Sequence, residues 1–405
     1  MREASAGRGR CRGGTSSVPA SVVAFASVAR FPEISTAGAR VPASIFLRLR
    51  EHLSRFPGDY IPLQIGDTHL APPASLHELS WTELPPAELY AYGSPNGWAP
   101  LVEAIVGKMR RKNKLAVGIG NVQVTCGATH ALACAVQALC DPGDELILIT
   151  PHWPLIKGMA LATNVVPIEI AYGPELGARL AAAVSPRTSA IYYATPNNPD
   201  GTMLGVAELA EIAAVAERHG LWILADEVYE DYAYDAPHVS IAALAEARTV
   251  TVFSFAKSYA QAGLRVGYAI APEPIAATLK KLVNHSLYNV PVANQRAGLA
   301  ALERGEAFLA DARARYQAAR DRALAGLHAH AACPPGGAYL WVDFRDRYGD
   351  DCMPVLERIA EAGVLLTPGN AFGDACGGFA RLCFTGVPPD RLDEGLDRIN
   401  AVLDA

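Results

Sequence analysis

Lys257 stands in "SFAKSYAQAGLRVGY" (residues 254–268), between Ala256 and Ser258 and directly after the apolar run "TVTVF". The chain has seven lysines against twenty-eight arginines, so its surface charge is built mainly from Arg, and a Lys among small residues is unusual. An amine in that setting can attack a carbonyl if desolvation and nearby cations keep it unprotonated. Taken alone, the plainer reading is a snorkelling cation at a strand end. Other chemistry-bearing residues also follow apolar runs. Trp153 in "PHWP" comes after "DELILIT", and Asn198 in "NNPDG" after "AIYYAT". Asp226 and Tyr229 come after "LWILA", and Ser254 and Lys257 after "TVTVF". Ligands of open α/β sheets bind beyond the carboxyl ends of the strands. A carboxylate, an amide, a phenol, an indole and an amine are thereby expected to converge on one edge, where a shared ligand explains all five.

The elements that must position them are legible from Val41 onward. "ASIFLRLREHLSRF" has apolar residues at helical spacing and ends before Pro57-Gly58; "YIPLQIGD" reads as a short strand. "GWAPLVEAIVGKMRRKN", "GATHALACAVQALC" and "VAELAEIAAVAERHG" read as helices. "DELILIT", "TSAIYYAT", "LWILADE", "TVTVFSFAK" and "RVGYAIAP" read as strands. Their alternation predicts an α/β fold whose large domain has a mostly parallel sheet between helices. After Pro291 the pattern predicts one long helical stretch from Ala293 to His330, then strands at "GGAYLWVDF", "VLLTPG" and "ARLCFTG". A helix from Met353 to Ala362 and a last helix complete a smaller C-terminal α/β domain. The expected organisation is a basic, disordered tail over 1–30, an N-terminal arm and helix over 31–65 packing with the small domain, a large ligand-binding domain over 66–290, and the small domain over 291–405.

Composition narrows the function classes. With 51% hydrophobic residues the chain can build large cores, and a net charge of −6 argues against a general nucleic-acid or membrane surface. No apolar stretch reaches membrane-spanning length. The eight cysteines form no C-x-x-C and sit mostly in apolar segments, which predicts buried thiols in a reducing, cytoplasmic setting rather than disulfides or a metal site. "VPASVVAFASVA" imitates a signal peptide, but it is short and interrupted by Pro19 and serines.

With these motifs in order, the sequence from Val41 to the C-terminus resembles the fold-type I pyridoxal-phosphate enzymes, specifically the class I/II aminotransferases. The resemblance implies a homodimer with shared active sites, an amino acid and a 2-oxo acid as substrates, and ping-pong transfer of the amino group through a Lys Schiff base. Lys257 matches the Schiff-base lysine in S-x-x-K, with Arg265 eight residues on in "GLRVGY". Asp226 in "LADEVY" matches the carboxylate that pairs with the pyridine nitrogen and keeps the ring an electron sink. Tyr229 and Asn198 resemble the donors to the cofactor's phenolate oxygen. Gly127, Ala128 and Thr129 in "TCGATHAL" resemble the phosphate-binding helix start, completed by Ser254 and Arg265. Trp153 is where the family stacks an aromatic ring on the cofactor. Arg381 in "ARLCFTG" matches the arginine that binds the substrate α-carboxylate, and the resemblance counts Asn198 among the substrate-binding residues as well. Tyr92 in "YGSPNG" resembles the tyrosine that reaches the partner subunit's cofactor phosphate, and Gly66 in "IGD" the glycine near the substrate carboxylate.

Each residue also has a plainer role open to it: Asp226 as a helix N-cap, Tyr229 and Trp153 as core aromatics, Asn198 and Gly66 as turn residues, and Arg381 as a surface cation. The sequence departs from the family at Gln261, where an apolar residue is usual, at Asp200 in "NNPDG", which is expected to be harmless, and in "GDTHLAPP". No arginine between Val266 and Gln295 matches the one that the acidic-substrate branch borrows from its partner. A lyase, decarboxylase, oxidase or synthase on the same cofactor would share most of these motifs. A regulator on the same scaffold would need a DNA-binding unit, and the first twenty residues are too short for one.

Overall fold

The apolar runs become a seven-stranded sheet in the computed structural model, which describes residues 31–76, 79 and 85–405. Its strands are β1 (Val122–Thr125), β2 (Glu145–Thr150), β3 (Val166–Ala171), β4 (Thr188–Ala194), β5 (Trp222–Asp226), β6 (Thr249–Ser254) and β7 (Gly267–Ile270). They lie in the order β1-β7-β6-β5-β4-β2-β3. The pairs β3-β2, β2-β4, β4-β5 and β5-β6 are parallel, and only β7 runs against its neighbours β6 and β1. β2 and β6 are buried along their whole length, as inner strands of a sheet covered on both faces must be. β3 is at the edge and half exposed, which is where Pro167 can sit without costing a ladder hydrogen bond.

Helices cover both faces. Gly127–Leu139 and Glu273–Ser286 pack over one, with Leu132, Leu148, Tyr192, Val250 and Leu279 in the shared core. Leu176–Ala183 and Val206–His219 cover the other, around Ile147, Ile191, Leu209 and Ile223. The expected α/β architecture with a mostly parallel sheet is therefore found. Among the described residues, no helix is long and apolar enough to cross a membrane.

A second sheet, all antiparallel, has β8 (His330–Ala331), β9 (Tyr339–Asp343), β10 (Thr367–Pro368) and β11 (Phe379–Cys383) in the order β10-β11-β9-β8. Its core joins Leu340 and Leu382 to Leu356 and Ile359 of the helix Met353–Glu361, and to Leu396 of the helix Pro389–Leu403. Leu49, Ile61 and Leu63 from the N-terminal part of the chain enter the same core.

Several sequence expectations are corrected. The N-terminal helix forms only over Leu47–Leu53, and a short helix, Thr36–Arg40, precedes it. "YIPLQIGD" is no strand: Ile61 makes a single bridge to Val364, and Pro62, with no N–H, cannot extend it. The "VLLTPG" strand shrinks to Thr367–Pro368. The long helix from Ala293 breaks at Gly305 into Val292–Arg304 and Glu306–Gly326. Gly305 ends the first helix with its N–H on Ala301 O, and a Cβ there would sit 2.4 Å from that carbonyl. β6 stops at Ser254, so Lys257 lies on a helical turn, Phe255–Ser258, and not on the strand. β1 and β3 were not anticipated. Of the described cysteines none is paired, and Cys333 is exposed rather than buried. The expected tail, residues 1–30, lies outside the described residues.

Candidate active site

Parallel strands point their carboxyl ends the same way, and the residues that follow β4, β5 and β6 meet at a cavity of about 250 Å³. Lys257, Asp226, Asn198, Tyr229, Trp153, Ser254, Arg265, Ala128, Thr129, Gly66 and Arg381 all line it.

Lys257 is placed by local capping. Ser254 Oγ accepts the Ala256 N–H at 3.1 Å, which starts the helical turn that carries the lysine. Tyr232 Oη, 2.9 Å from Lys257 O and 3.0 Å from Ser258 O, holds the turn from behind. Lys257 Nζ donates to the Gly66 carbonyl. Its pKa is lowered, chiefly by burial and also by the Arg381 and Arg265 charges, against the opposing pull of Asp67. Gly66 has to be glycine here, because a Cβ would stand 2.2 Å from Tyr339 Oη.

Asp226 ends β5, and its carboxylate accepts from Tyr192 Oη at 3.2 Å and from the Val228 N–H at 3.4 Å. Both partners are neutral, and burial pushes its pKa up to about 6. Arg381, in the middle of β11, is the complementary case. It donates to Asn198 Oδ1 at 2.8 Å, Gln64 O at 2.6 Å and Thr367 Oγ1 at 3.2 Å. These acceptors are also neutral, and Arg381 Nε is buried without a partner. Its guanidinium is 4.3 Å from the Tyr339 ring centroid and 5.1 Å from that of Phe372. One cavity wall thus holds a buried anion and a buried cation, each lacking an opposite charge in direct contact. Such groups are costly unless a ligand answers them.

An anion cradle occupies another part of the wall. The helix Gly127–Leu139 offers the free N–H groups of its first turn, with Ala128 and Thr129 on the cavity. Gly127 has φ +73°, and its Cβ would lie 2.7 Å from Arg265 Nη2, so the glycine lets the guanidinium come up to the helix start. Ser254 and Arg265 face the same space, and Arg265 Nη1 is steadied by Ala262 O at 2.9 Å.

Tyr229 is buried and its hydroxyl bonds that of Tyr339, while burial raises its pKa well above the ordinary tyrosine value. Trp153 caps the helix Pro154–Ala162 and lines this cavity and a larger neighbour. Asp200 closes the "NNPDG" turn, accepting from Asn197 Nδ2 at 2.8 Å and Thr202 Oγ1 at 2.8 Å. Gln261 is buried, with Nε2 on Ala297 O at 3.3 Å and Oε1 without a partner.

Tyr92 is not brought to this cavity within one chain. It is 80% exposed, packs against Tyr288 with ring centroids 4.3 Å apart and the planes tilted by 35°, and lines a separate cavity. Conversely, Tyr339, Thr367, Tyr192 and Phe372 stand in the site without having been anticipated. Their contacts join positions far apart in sequence, and each sits in or beside an ordinary apolar run. Only the Gly336-Gly337 pair ahead of Tyr339 hinted at a close approach.

Comparison with known proteins places this site in context. The family described as "Aminotransferase class I and II" matches residues 60–399. The aspartate/prephenate aminotransferase of Thermus thermophilus is 33% identical over 356 residues, covering 85% of this chain and 91% of the relative. The arginine–pyruvate transaminase AruH of Pseudomonas aeruginosa is 32% identical over 334 residues, covering 79% of this chain and 84% of the relative. Among solved structures, the Thermus thermophilus aspartate aminotransferase with maleate has a TM-score of 0.84 at 30% identity, covering 91% of this chain and 99% of that one.

Proposed function

The chain belongs to the class I and II aminotransferases, pyridoxal-phosphate enzymes that act on amino acids, and from that premise we propose how its own residues divide the work. The observation that carries the proposal is the single cavity where Lys257, the unpaired Asp226 and the unpaired Arg381 meet. Pyridoxal phosphate, when bound, supplies an aldehyde that captures amines, a ring that takes up electrons, and a phosphate anchor. The donor set fits it: an amine for the aldehyde, a buried carboxylate for the ring nitrogen, and a helix start with Ser254 and Arg265 for the phosphate.

Asp226 would hold the ring nitrogen, and a positive charge there would offset the burial cost that raises the pKa of Asp226. Tyr229 donates a hydrogen bond toward the ring oxygen. Asn198 does the same through its amide N–H, since its Oδ1 is taken by Arg381. Trp153 shields one side of the ring from water. Arg381 takes the substrate α-carboxylate with its planar fork, and Gly66 and Asn198 border that spot. Lys257 Nζ would hold the aldehyde and, when not so engaged, would be the base that takes the proton from the substrate α-carbon. Its lowered pKa favours the neutral amine, and a positioned base of this kind contributes roughly 10²–10⁴-fold.

We also propose a homodimer in which Tyr92 serves the partner's phosphate. The exposed rings of Tyr90, Tyr92 and Tyr288 support it, since aromatics left this open mark contact surfaces. The unpaired cysteines support a cytoplasmic setting. The test of the reading is a half-reaction. An amino acid added without a 2-oxo acid should bleach the visible cofactor band and release one oxo acid per site. Release of ammonia or carbon dioxide instead would assign a different reaction on the same cofactor.

A further inference from the structure

A second cavity, of about 1380 Å³, adjoins the first and shares Gly66, Trp153 and Arg381 with it. One wall is the N-terminal segment from Val41 to Phe46 with Leu53 and Tyr60; the facing wall is the helix Pro154–Ala162. The two walls come together at Gly158, where a Cβ would make ordinary contact, 3.7 Å from Pro42 Cδ and 3.8 Å from Val41 Cγ1. Four large apolar residues on this lining, Val41, Tyr60, Ile65 and Leu155, are 44%, 39%, 48% and 53% exposed. Apolar surface left open beside a reaction centre marks where an apolar ligand group is received.

The cations of the lining matter as much. Across both cavities they are Lys257, Arg265, Arg381, Lys157 and Arg50. The first three are engaged by the aldehyde, phosphate and α-carboxylate roles proposed above. Lys157 is saturated: its Nζ lies 2.8 Å from Glu169 Oε1 and 2.6 Å from Asp374 Oδ1. Arg50 is the remaining one: it is exposed on the helix Leu47–Leu53, and among the described residues no carboxylate pairs with it.

We propose that this second cavity is the substrate side-chain subsite and that it selects amino acids with bulky apolar side chains, aromatic or long aliphatic, over dicarboxylic ones. Continuity fixes the occupant: a carboxylate on Arg381 with its α-carbon toward Lys257 directs the side chain past Gly66 and Trp153 into this space. A second carboxylate there loses water against apolar walls, and among the described residues of this chain no buried cation of the lining is left to meet it. The relatives, named for aspartate, prephenate and arginine, do not choose between these classes. The proposal rests on the aminotransferase reading of the site.

The test uses the cofactor-loaded enzyme in single-turnover half-reactions with phenylalanine, leucine, alanine, aspartate and glutamate. Phenylalanine should react with a specificity constant about 100-fold above those of alanine and aspartate, as expected when a large apolar side chain fills its pocket. Ile65→Trp, which fills the junction, should lower the phenylalanine value at least tenfold and leave alanine within about twofold. Ile65→Lys, which adds a cation, should raise aspartate relative to phenylalanine at least tenfold. Aspartate fastest in the unaltered enzyme would overturn the proposal, and loss of that activity in Arg50→Ala would identify the cation responsible. Equal loss of alanine and phenylalanine in Ile65→Trp would overturn it too. If no amino acid converts the cofactor, the aminotransferase reading fails, and binding still decides the subsite. A larger rise in Tm with 3-phenylpropanoate than with succinate supports it; the reverse overturns it.

Discussion

Asp226 gives the most quantitative handle on this site. Burial raises its pKa from 3.8 to about 6, with Tyr192 Oη and the Val228 N–H as its neutral partners. Between those values the folded, cofactor-free protein keeps a proton that the unfolded chain has already released. The resulting contribution to stability is fully present below pH 3.8 and is lost as the pH rises through about 6. Each tenfold difference in proton affinity is worth about 1.4 kcal/mol, so the whole loss is about 3 kcal/mol. Asp226→Asn removes the titration while keeping the shape and one acceptor. Urea unfolding of both cofactor-free proteins from pH 4 to pH 8 isolates it, because every other titrating group is common to the two. The variant should gain about 2.5 kcal/mol relative to the unaltered protein across that range, nearly all of it before pH 7. With pyridoxal phosphate bound, a cation faces the carboxylate and the pH-dependent difference should shrink. A difference that stays constant between pH 4 and pH 8 would refute the claim that Asp226 is a buried, unpaired acid.

Three further substitutions probe the rest of the site. Arg381→Lys keeps the charge but not the fork, and should lower kcat/KM roughly 100-fold, mainly through KM, at about 1.5–3 kcal/mol for each charged hydrogen bond lost; steady-state kinetics with cofactor absorbance unchanged would check it. Gly66→Ala drives a methyl into Tyr339 Oη, disturbing both the Tyr229 contact and the acceptor of Lys257. It should cost about 1–3 kcal/mol in stability and at least tenfold in kcat/KM, and activity within twofold of the parent would contradict the packing described. Gln261→Leu removes the buried Oε1 that has no partner, at the loss of one 3.3 Å hydrogen bond. A gain of about 1 kcal/mol by urea midpoint is expected; a clear loss would show that the amide is better satisfied than its geometry indicates.

What was legible in the sequence follows a physical division. Residues at the ends of buried strands announce themselves, because a short apolar or β-branched run followed by Asp226 or Ser254 is a local pattern. So the fold class, the central strands and the edge where ligands gather could all be read. Weakly patterned elements could not. β3 is half exposed and contains Pro167, β1 is four residues long, and the break at Gly305 lies between two segments of equal helical character. Of the support around Arg381 only Asn198 was anticipated; Gln64, Thr367 and Tyr339 come from three other stretches with no local signal. Tyr92 was assigned to the site by resemblance alone, and in the structure it faces outward.

The central claim is that Lys257 holds the cofactor. Borohydride reduction of the yellow, loaded protein followed by a peptide mass map tests it most directly. The account predicts a single pyridoxyl phosphate adduct on the peptide carrying Lys257, and none on the other six lysines. An adduct on another lysine, or an unmodified Lys257 in protein that has lost its visible band, would contradict it.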